Sequence, residues 1–208
     1  MLEGSGWEAL TFPNIDHHTR YALVNEEGQR VLKATVDDSA SGLIWRQRIS
    51  PGDHLWLHWR WKVSNIFEKG NARRKSGDDY PARIYVAFEF QPDKASWWER
   101  TKRAAVETLY GDSLPGTALN YIWASSLPQG ESVPNPFTED TRMIAVNSGN
   151  KNVGDWMELK RDIVADYRRV FGTAPPPIVG IAVMSDGDNT RERATAWYGD
   201  LRLVGGQN

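Results

Sequence analysis

Side chains that could bind or transform a polar ligand lie at alternate positions of two segments, 54–63 and 82–90. They are Trp56, His58, Arg60, Arg83, Tyr85 and Glu89. A tryptophan with a hydrogen-bonding rim is typical of polar-ligand sites, whereas a tyrosine or histidine beside an arginine could move a proton, as in a lyase. We therefore expect candidate catalytic roles for His58, Tyr85 and Glu89 and ligand-binding roles for the other three.

Two carboxylates stand directly before the second segment. Asp78 and Asp79 occur in GDDYP at 77–81 and most simply brace a turn, with a salt bridge to a nearby arginine. The functional alternative is a ligand-binding pair at the edge of the same surface. Acid–base catalysis by this pair is not expected, because two successive residues rarely face opposite sides of one bond.

A third acidic motif offers oxygens to a hard cation. SDGDNT at 185–190 places Asp186 and Asp188 in alternation, which most simply indicates a turn held by aspartate side-chain hydrogen bonds, since the later glutamate of an EF-hand is missing. The alternative is a structural calcium ion bound by Asp186 and Asp188. No zinc, P-loop or dinucleotide spacing occurs, so no other cofactor is expected.

The alternation of the first two segments also predicts the elements that position these side chains. In each segment the opposite face is apolar and is expected in the core. These core residues are Leu55, Leu57, Trp59, Trp61, Val63, Ile84, Val86, Phe88 and Phe90. If the two strands pair, as sequential strands do about two-thirds of the time, their polar faces form one surface.

About eleven short alternating segments with turns between them predict a mainly β fold. We expect a two-sheet, jelly-roll-type β-sandwich in one domain, residues 1–208, with two inserted helices. Apolar residues at helical spacing place the helices at 94–110 and 161–171. The apolar run IVGIAVM at 178–184 predicts a strand buried on both faces.

Composition excludes several classes of function. The net charge is -2 and no basic block is present, so nucleic acid is not an expected partner. The chain has no cysteine, which excludes disulfides and thiolate chemistry. No apolar run is long enough to cross a membrane, and the opening residues are too few and too polar to be an export signal.

Several motifs together resemble an uncharacterised bacterial family, domain of unknown function 3047. They are SASGLIWRQ at 39–47, LHWRWKV at 57–63, GDDYPARIYVAF at 77–88, NYIWA at 120–124, DYRRVFG at 166–172 and SDGDNT at 185–190. Members usually begin with an export signal, so the resemblance implies a periplasmic or secreted protein. The chain is more distantly similar to galactose-binding-like jelly rolls, which implies a glycan-related role.

Three functions remain open at the level of sequence. The first is binding of a carbohydrate or other polar ligand on one sheet face. The second is a glycan-active enzyme, a polysaccharide lyase or a hydrolase. The third is a cell-envelope interaction module that has no small ligand.

Overall fold

The computed structural model describes residues 6–13, 15–93 and 115–207, which form two β-sheets packed face to face. The seven-stranded sheet has the order β1 (Trp7–Leu10), β4 (Ala40–Trp45), β11 (Ile178–Asp186), β6 (Tyr80–Phe88), β7 (Ala118–Ala124), β9 (Thr141–Ser148) and β8 (Ser132–Pro134). The five-stranded sheet has the order β10 (Met157–Asp162), β5 (Ser50–Val63), β12 (Arg193–Gln207), β3 (Gln29–Asp37) and β2 (Arg20–Glu26). The predicted mainly β, two-sheet sandwich of jelly-roll type is confirmed.

One of the two predicted helices is present. Helix α1 (Ile163–Phe171) begins after Asp162, whose carboxylate accepts hydrogen bonds from the Val164 and Ala165 backbone amides. It ends at Gly172, where φ is 74° and glycine carries no Cβ penalty. The helix predicted at 94–110 lies outside the described residues. In the described part of the chain, no helix is long and apolar enough to cross a membrane.

The core lies between the sheets and is built on the apolar face of β5. All five predicted core residues of this strand are at most 2% exposed. Trp59 packs against Tyr121 of the opposite sheet, with ring centroids 5.5 Å apart. The Trp61 indole donates a hydrogen bond of 2.7 Å to Asn147 Oδ1, also across the sandwich. Ile84, Val86 and Phe88 of β6 are buried as predicted.

The seven-stranded sheet is also buried over much of its outer face, the face turned away from the core. Ile122 and Ala182 belong to this face and are 0% and 2% exposed. Strand β11 is buried on both faces over most of its length, as its apolar run predicts. Polar residues that point outward from the middle of this sheet therefore lose contact with water.

The predicted pairing of the first two segments is wrong. β5 pairs with β10 and β12, whereas β6 pairs with β11 and β7 in the other sheet. Residues 64–79 carry the chain from one sheet to the other. Because the apolar faces of β5 and β6 point toward each other across the core, their polar faces lie on opposite sides of the molecule.

Truncation of Trp61 tests the role of the β5 core face. We expect Trp61→Ala to lower the free energy of unfolding by about 3–5 kcal/mol, because it removes a fully buried ring and leaves Asn147 unpaired. Trp56 on the same strand is partly exposed and contacts Lys160 at 4.3 Å, so Trp56→Ala should cost about 1 kcal/mol. Urea unfolding measures both values, and equal losses would contradict the assignment of the two faces.

Candidate functional site

The β5 part of the predicted site lies on the outer face of the five-stranded sheet. Arg60 stacks on Trp156 at 4.3 Å, and its Nε lies 2.7 Å from Asp200 Oδ2. Trp56 lies under Lys160. Partial desolvation and the charges of neighbouring cations lower the pKa of His58. Trp56, His58 and Arg60 therefore share one surface, but that surface lies across the core from Arg83 and Tyr85.

Glu89 is also separated from the other candidates. It follows the end of β6, and its carboxylate accepts two hydrogen bonds from the Arg48 guanidinium, of 3.0 and 3.1 Å. This exposed ion pair lowers the pKa of Glu89. The predicted catalytic set of His58, Tyr85 and Glu89 is thus spread over three places, because the pairing of β5 with β6 on which it depended does not occur.

The remaining candidates come together at one end of the seven-stranded sheet. They are Asp78, Asp79, Arg83, Tyr85, Asp186 and Asp188, and we call them the acidic cluster. The start of β6 meets the end of β11 here, because neighbouring antiparallel strands run in opposite directions. Asp79 and Asp186 are 107 positions apart in the sequence. The two acidic motifs that contain them are therefore brought together by the pairing of β6 with β11.

Arg83 is the central side chain of the acidic cluster. It is 4% exposed, and its Nη2 donates a hydrogen bond of 2.5 Å to Asp186 Oδ2. The rings of Tyr80 and Tyr85 each lie 5.2 Å from its guanidinium carbon. Its backbone N–H donates to the Tyr198 hydroxyl at 3.3 Å. The Arg83 guanidinium is thus fixed between two aromatic rings and a buried carboxylate.

Asp78 and Asp79 have different partners. The Asp78 carboxylate accepts hydrogen bonds from the Tyr80 hydroxyl at 3.0 Å and from Asn135 Nδ2 at 2.8 Å. Asp79 accepts from Asn189 Nδ2 at 2.9 Å and from the Thr190 backbone amide at 2.5 Å. Both carboxylates brace loops, as the sequence predicts, and Asp78 has the predicted arginine partner, since Arg83 Nη1 lies 3.9 Å from its Oδ2. Asp79 has no arginine or lysine within salt-bridge distance among the described residues.

Negative charge exceeds positive charge in the acidic cluster, where Arg83 faces four carboxylates. Burial raises the pKa of Asp186 well above its ordinary value; Arg83 opposes this rise and the other three carboxylates add to it. Burial also raises the pKa of Asp78 and of Asp188. The site therefore favours a bound proton or another positive charge.

Some polar atoms of the site are buried without a hydrogen-bond partner among the described residues. They are Arg83 Nε and Nη1, Asp186 Oδ1, Thr190 Oγ1, and both amide atoms of Asn120. Asn120 lies on β7 opposite Tyr85 and is 0% exposed. Alternation in NYIWA places Asn120 on the opposite face from Tyr121 and Trp123, so only one of these faces can meet a ligand; the pattern does not show which, and Asn120 is not among the predicted site residues.

The excess of carboxylates leads to a prediction for chelator-treated protein. A raised pKa means that the folded state binds the Asp188 proton more tightly than the unfolded state does. At neutral pH the ionised Asp188 carboxylate therefore lowers the free energy of unfolding. We expect Asp188→Asn to raise the free energy of unfolding at pH 7 by at most about 1 kcal/mol, because solvent screens this half-buried group. The gain should vanish as the pH falls toward 4. Urea unfolding measures both values.

The exposed Asp53 provides a control, and Asp53→Asn should leave stability unchanged at both pH values. A loss of stability in Asp188→Asn that is the same at pH 7 and pH 4 would contradict the charge imbalance.

Three solved structures align with most of this chain at low sequence identity. The structure titled "CBM4 structure and function" is 10% identical over 96% of this chain and 94% of its own, with a TM-score of 0.39. The cellulose induced protein Cip1 is 8% identical over 97% and 92%, with a TM-score of 0.43. An arabinose-bound MgGH51 α-L-arabinofuranosidase is 10% identical over 96% of this chain, with a TM-score of 0.41, and the match spans 23% of that enzyme. Scores of this size carry no information on a ligand or an activity.

The family comparison is more specific. No curated protein matches the chain significantly. The family described as "Protein of unknown function (DUF3047)" matches residues 5–202. Because this match spans nearly the whole sequence, as the quoted motifs predict, the chain belongs to the DUF3047 family.

Proposed function

We propose that this protein binds a carbohydrate or a similarly polar small ligand at the outer face of the seven-stranded sheet. The observation that carries the proposal is the fully buried Asn120 side chain, which has no hydrogen-bond partner for either amide atom among the described residues. A buried amide without hydrogen bonds costs about 1–3 kcal/mol, so such a group is typically satisfied by a ligand or by ordered water.

The neighbouring groups fit a hydroxyl-rich ligand. The Asn120 amide offers one acceptor and two donors, which suits sugar hydroxyls because each of these both donates and accepts. Burial raises the pKa of Tyr85, so its hydroxyl stays protonated and can donate. Two Arg83 nitrogens provide further donors. Tyr85 and Ala87 on the same face are partly exposed.

The same groups favour binding over lyase chemistry. A lyase of the predicted kind needs Tyr85 or His58 as a base near the abstracted proton. The raised pKa makes the Tyr85 phenolate rare at neutral pH. His58 lies on the other sheet, across the core from Arg83. Arg83 would therefore orient a ligand and balance its charge, without Tyr85 or His58 as the base.

A second surface is less suited to the same role. An open depression of about 290 Å³ is lined by Arg20 of β2 and by residues of β3 and β12, together with Ser64 and Asn65. Two of its charged groups already pair, since Arg193 Nε lies 2.6 Å from Asp37 Oδ1. Asn65 Nδ2 donates to the Arg193 carbonyl at 2.9 Å. These groups need no ligand to complete their hydrogen bonding.

The cellular location is part of the same proposal. Members of the family usually begin with an export signal, which supports a periplasmic or secreted protein. Fractionation of cells that produce the native full-length protein tests this expectation. Recovery of the protein from the cytoplasm alone would contradict it.

Replacement of Asn120 tests the proposed binding site. Asn120→Leu keeps the branched shape and removes the polar atoms. It should weaken binding at least about tenfold for any glycan that the wild type binds on an array of neutral and acidic saccharides. The unliganded variant should be at least as stable as the wild type, because a buried amide without partners is removed. Calorimetric titration and urea unfolding measure the two effects.

Asn147 provides a control, because it is also buried in the seven-stranded sheet but its Oδ1 accepts a hydrogen bond from Trp61, while its Nδ2 has no partner among the described residues. Asn147→Leu should lose about 1–3 kcal/mol of stability. An Asn120→Leu protein that loses as much, or that binds the glycan like the wild type, contradicts the proposed site. A wild type that binds no saccharide on the array contradicts the carbohydrate class.

A further inference from the structure

We propose that Asp79, Asp186 and Asp188 form a binding site for a divalent cation and that calcium is the preferred ion. The proposal goes beyond glycan binding and does not depend on it. The sequence predicts Asp186 and Asp188 as ligands, and the structure adds Asp79 from the distant GDDYP motif.

The spacing of the three carboxylates suits a calcium ion. One carboxylate oxygen from each of the three aspartates lies within 4.8 Å of the other two. Calcium binds oxygen ligands at about 2.3–2.6 Å, so two ligands on opposite sides of the ion can be about 5 Å apart. Asp79 and Asp186 are 0% and 1% exposed, which holds their carboxylates in place. Asp188 is half-buried, so its carboxylate keeps some contact with solvent.

A buried threonine hydroxyl next to the acidic residues also points to a ligand. The Thr190 side chain is 2% exposed, and its hydroxyl oxygen has no hydrogen-bond partner among the described residues. The backbone amide of the same residue donates to Asp79, which places Thr190 beside one of the three carboxylates, and its carbonyl accepts from Lys69 Nζ at 3.0 Å. A buried hydroxyl beside a carboxylate group is a ready fourth oxygen ligand for a hard cation.

Asp186 adds a free ligand atom to the site. Its Oδ2 accepts the hydrogen bond from Arg83, whereas its Oδ1 is buried and has no hydrogen-bond partner in the segments that the structure describes. One carboxylate can therefore join the guanidinium to the cation. Arg83 alone does not neutralise the cluster, because Asp79 and Asp188 have no arginine or lysine partner within salt-bridge distance in the described part of the chain.

The chemistry of the ligands favours calcium over magnesium. Calcium accepts six to eight oxygens in a flexible arrangement, whereas magnesium requires a tight octahedron and keeps several of its waters. Three carboxylates from two separate loops, with one hydroxyl, suit the flexible arrangement. The bound ion would join the start of β6 to the loop after β11 and would stabilise the folded state over the unfolded state.

Calcium titration of chelator-treated protein without any saccharide tests the site. We expect calcium at saturation to raise the melting temperature by about 5 °C or more. Isothermal titration should give one site, and magnesium should bind more weakly. Asp188→Asn, at the half-buried ligand, should fold and should bind calcium at least tenfold more weakly than the wild type. The exposed Asp53→Asn should bind within twofold of the wild type.

Two results would overturn the proposal. One is equal melting temperatures with calcium and with EGTA, up to 10 mM calcium. The other is equal calcium affinity in wild type and Asp188→Asn, which would place the ion elsewhere. Because calcium is the only added ligand, neither result bears on glycan binding. Conversely, a protein that binds calcium but no saccharide leaves the cation site intact.

Discussion

The buried pair of Arg83 and Asp186 is the interaction on which the outer face of the seven-stranded sheet depends. Their contact of 2.5 Å joins β6 to β11 in a place that water does not reach. Removal of one member of such a pair typically costs about 3–5 kcal/mol, because the other charge stays buried. The pair also explains why Tyr80 and Tyr85 can hold a guanidinium between their rings so far from solvent.

The same pair leaves the surrounding charge unbalanced, and both proposals follow from this imbalance. Asp79 and Asp188 add negative charge that Arg83 does not offset, which favours a cation. On the same sheet, Asn120 and two Arg83 nitrogens are buried without hydrogen-bond partners in the described part of the chain, which favours a polar ligand. A sheet face with only a packing role would be covered by apolar side chains, because these carry no cost of unmet hydrogen bonds.

The sequence predicts the faces of the strands well and their neighbours poorly. Alternation in β5 identifies Trp59 and Trp61 as core residues, because a buried face imposes a period of two whatever the strand pairs with. The same pattern does not say that residues 64–79 cross to the other sheet, so it predicts Trp56 and Arg83 on one surface.

The sequence predicts the local turn motifs more reliably than the pairing of the strands. GDDYP and SDGDNT each retain their turn chemistry, and antiparallel pairing brings them together. Asn120 cannot be identified as a site residue from the sequence, because its lack of hydrogen-bond partners among the described residues depends on how the folded chain packs.

The most direct test of a ligand-binding outer face is a crystal structure at high resolution, grown at neutral pH with calcium and with a glycan selected by array. We expect electron density for an ion in contact with Asp186 Oδ1 and for a sugar hydroxyl within hydrogen-bond distance of the Asn120 amide. The contradicting result is an Asn120 amide and an Asp186 carboxylate whose hydrogen bonds are all made by the protein's own side chains, with the glycan bound elsewhere or absent.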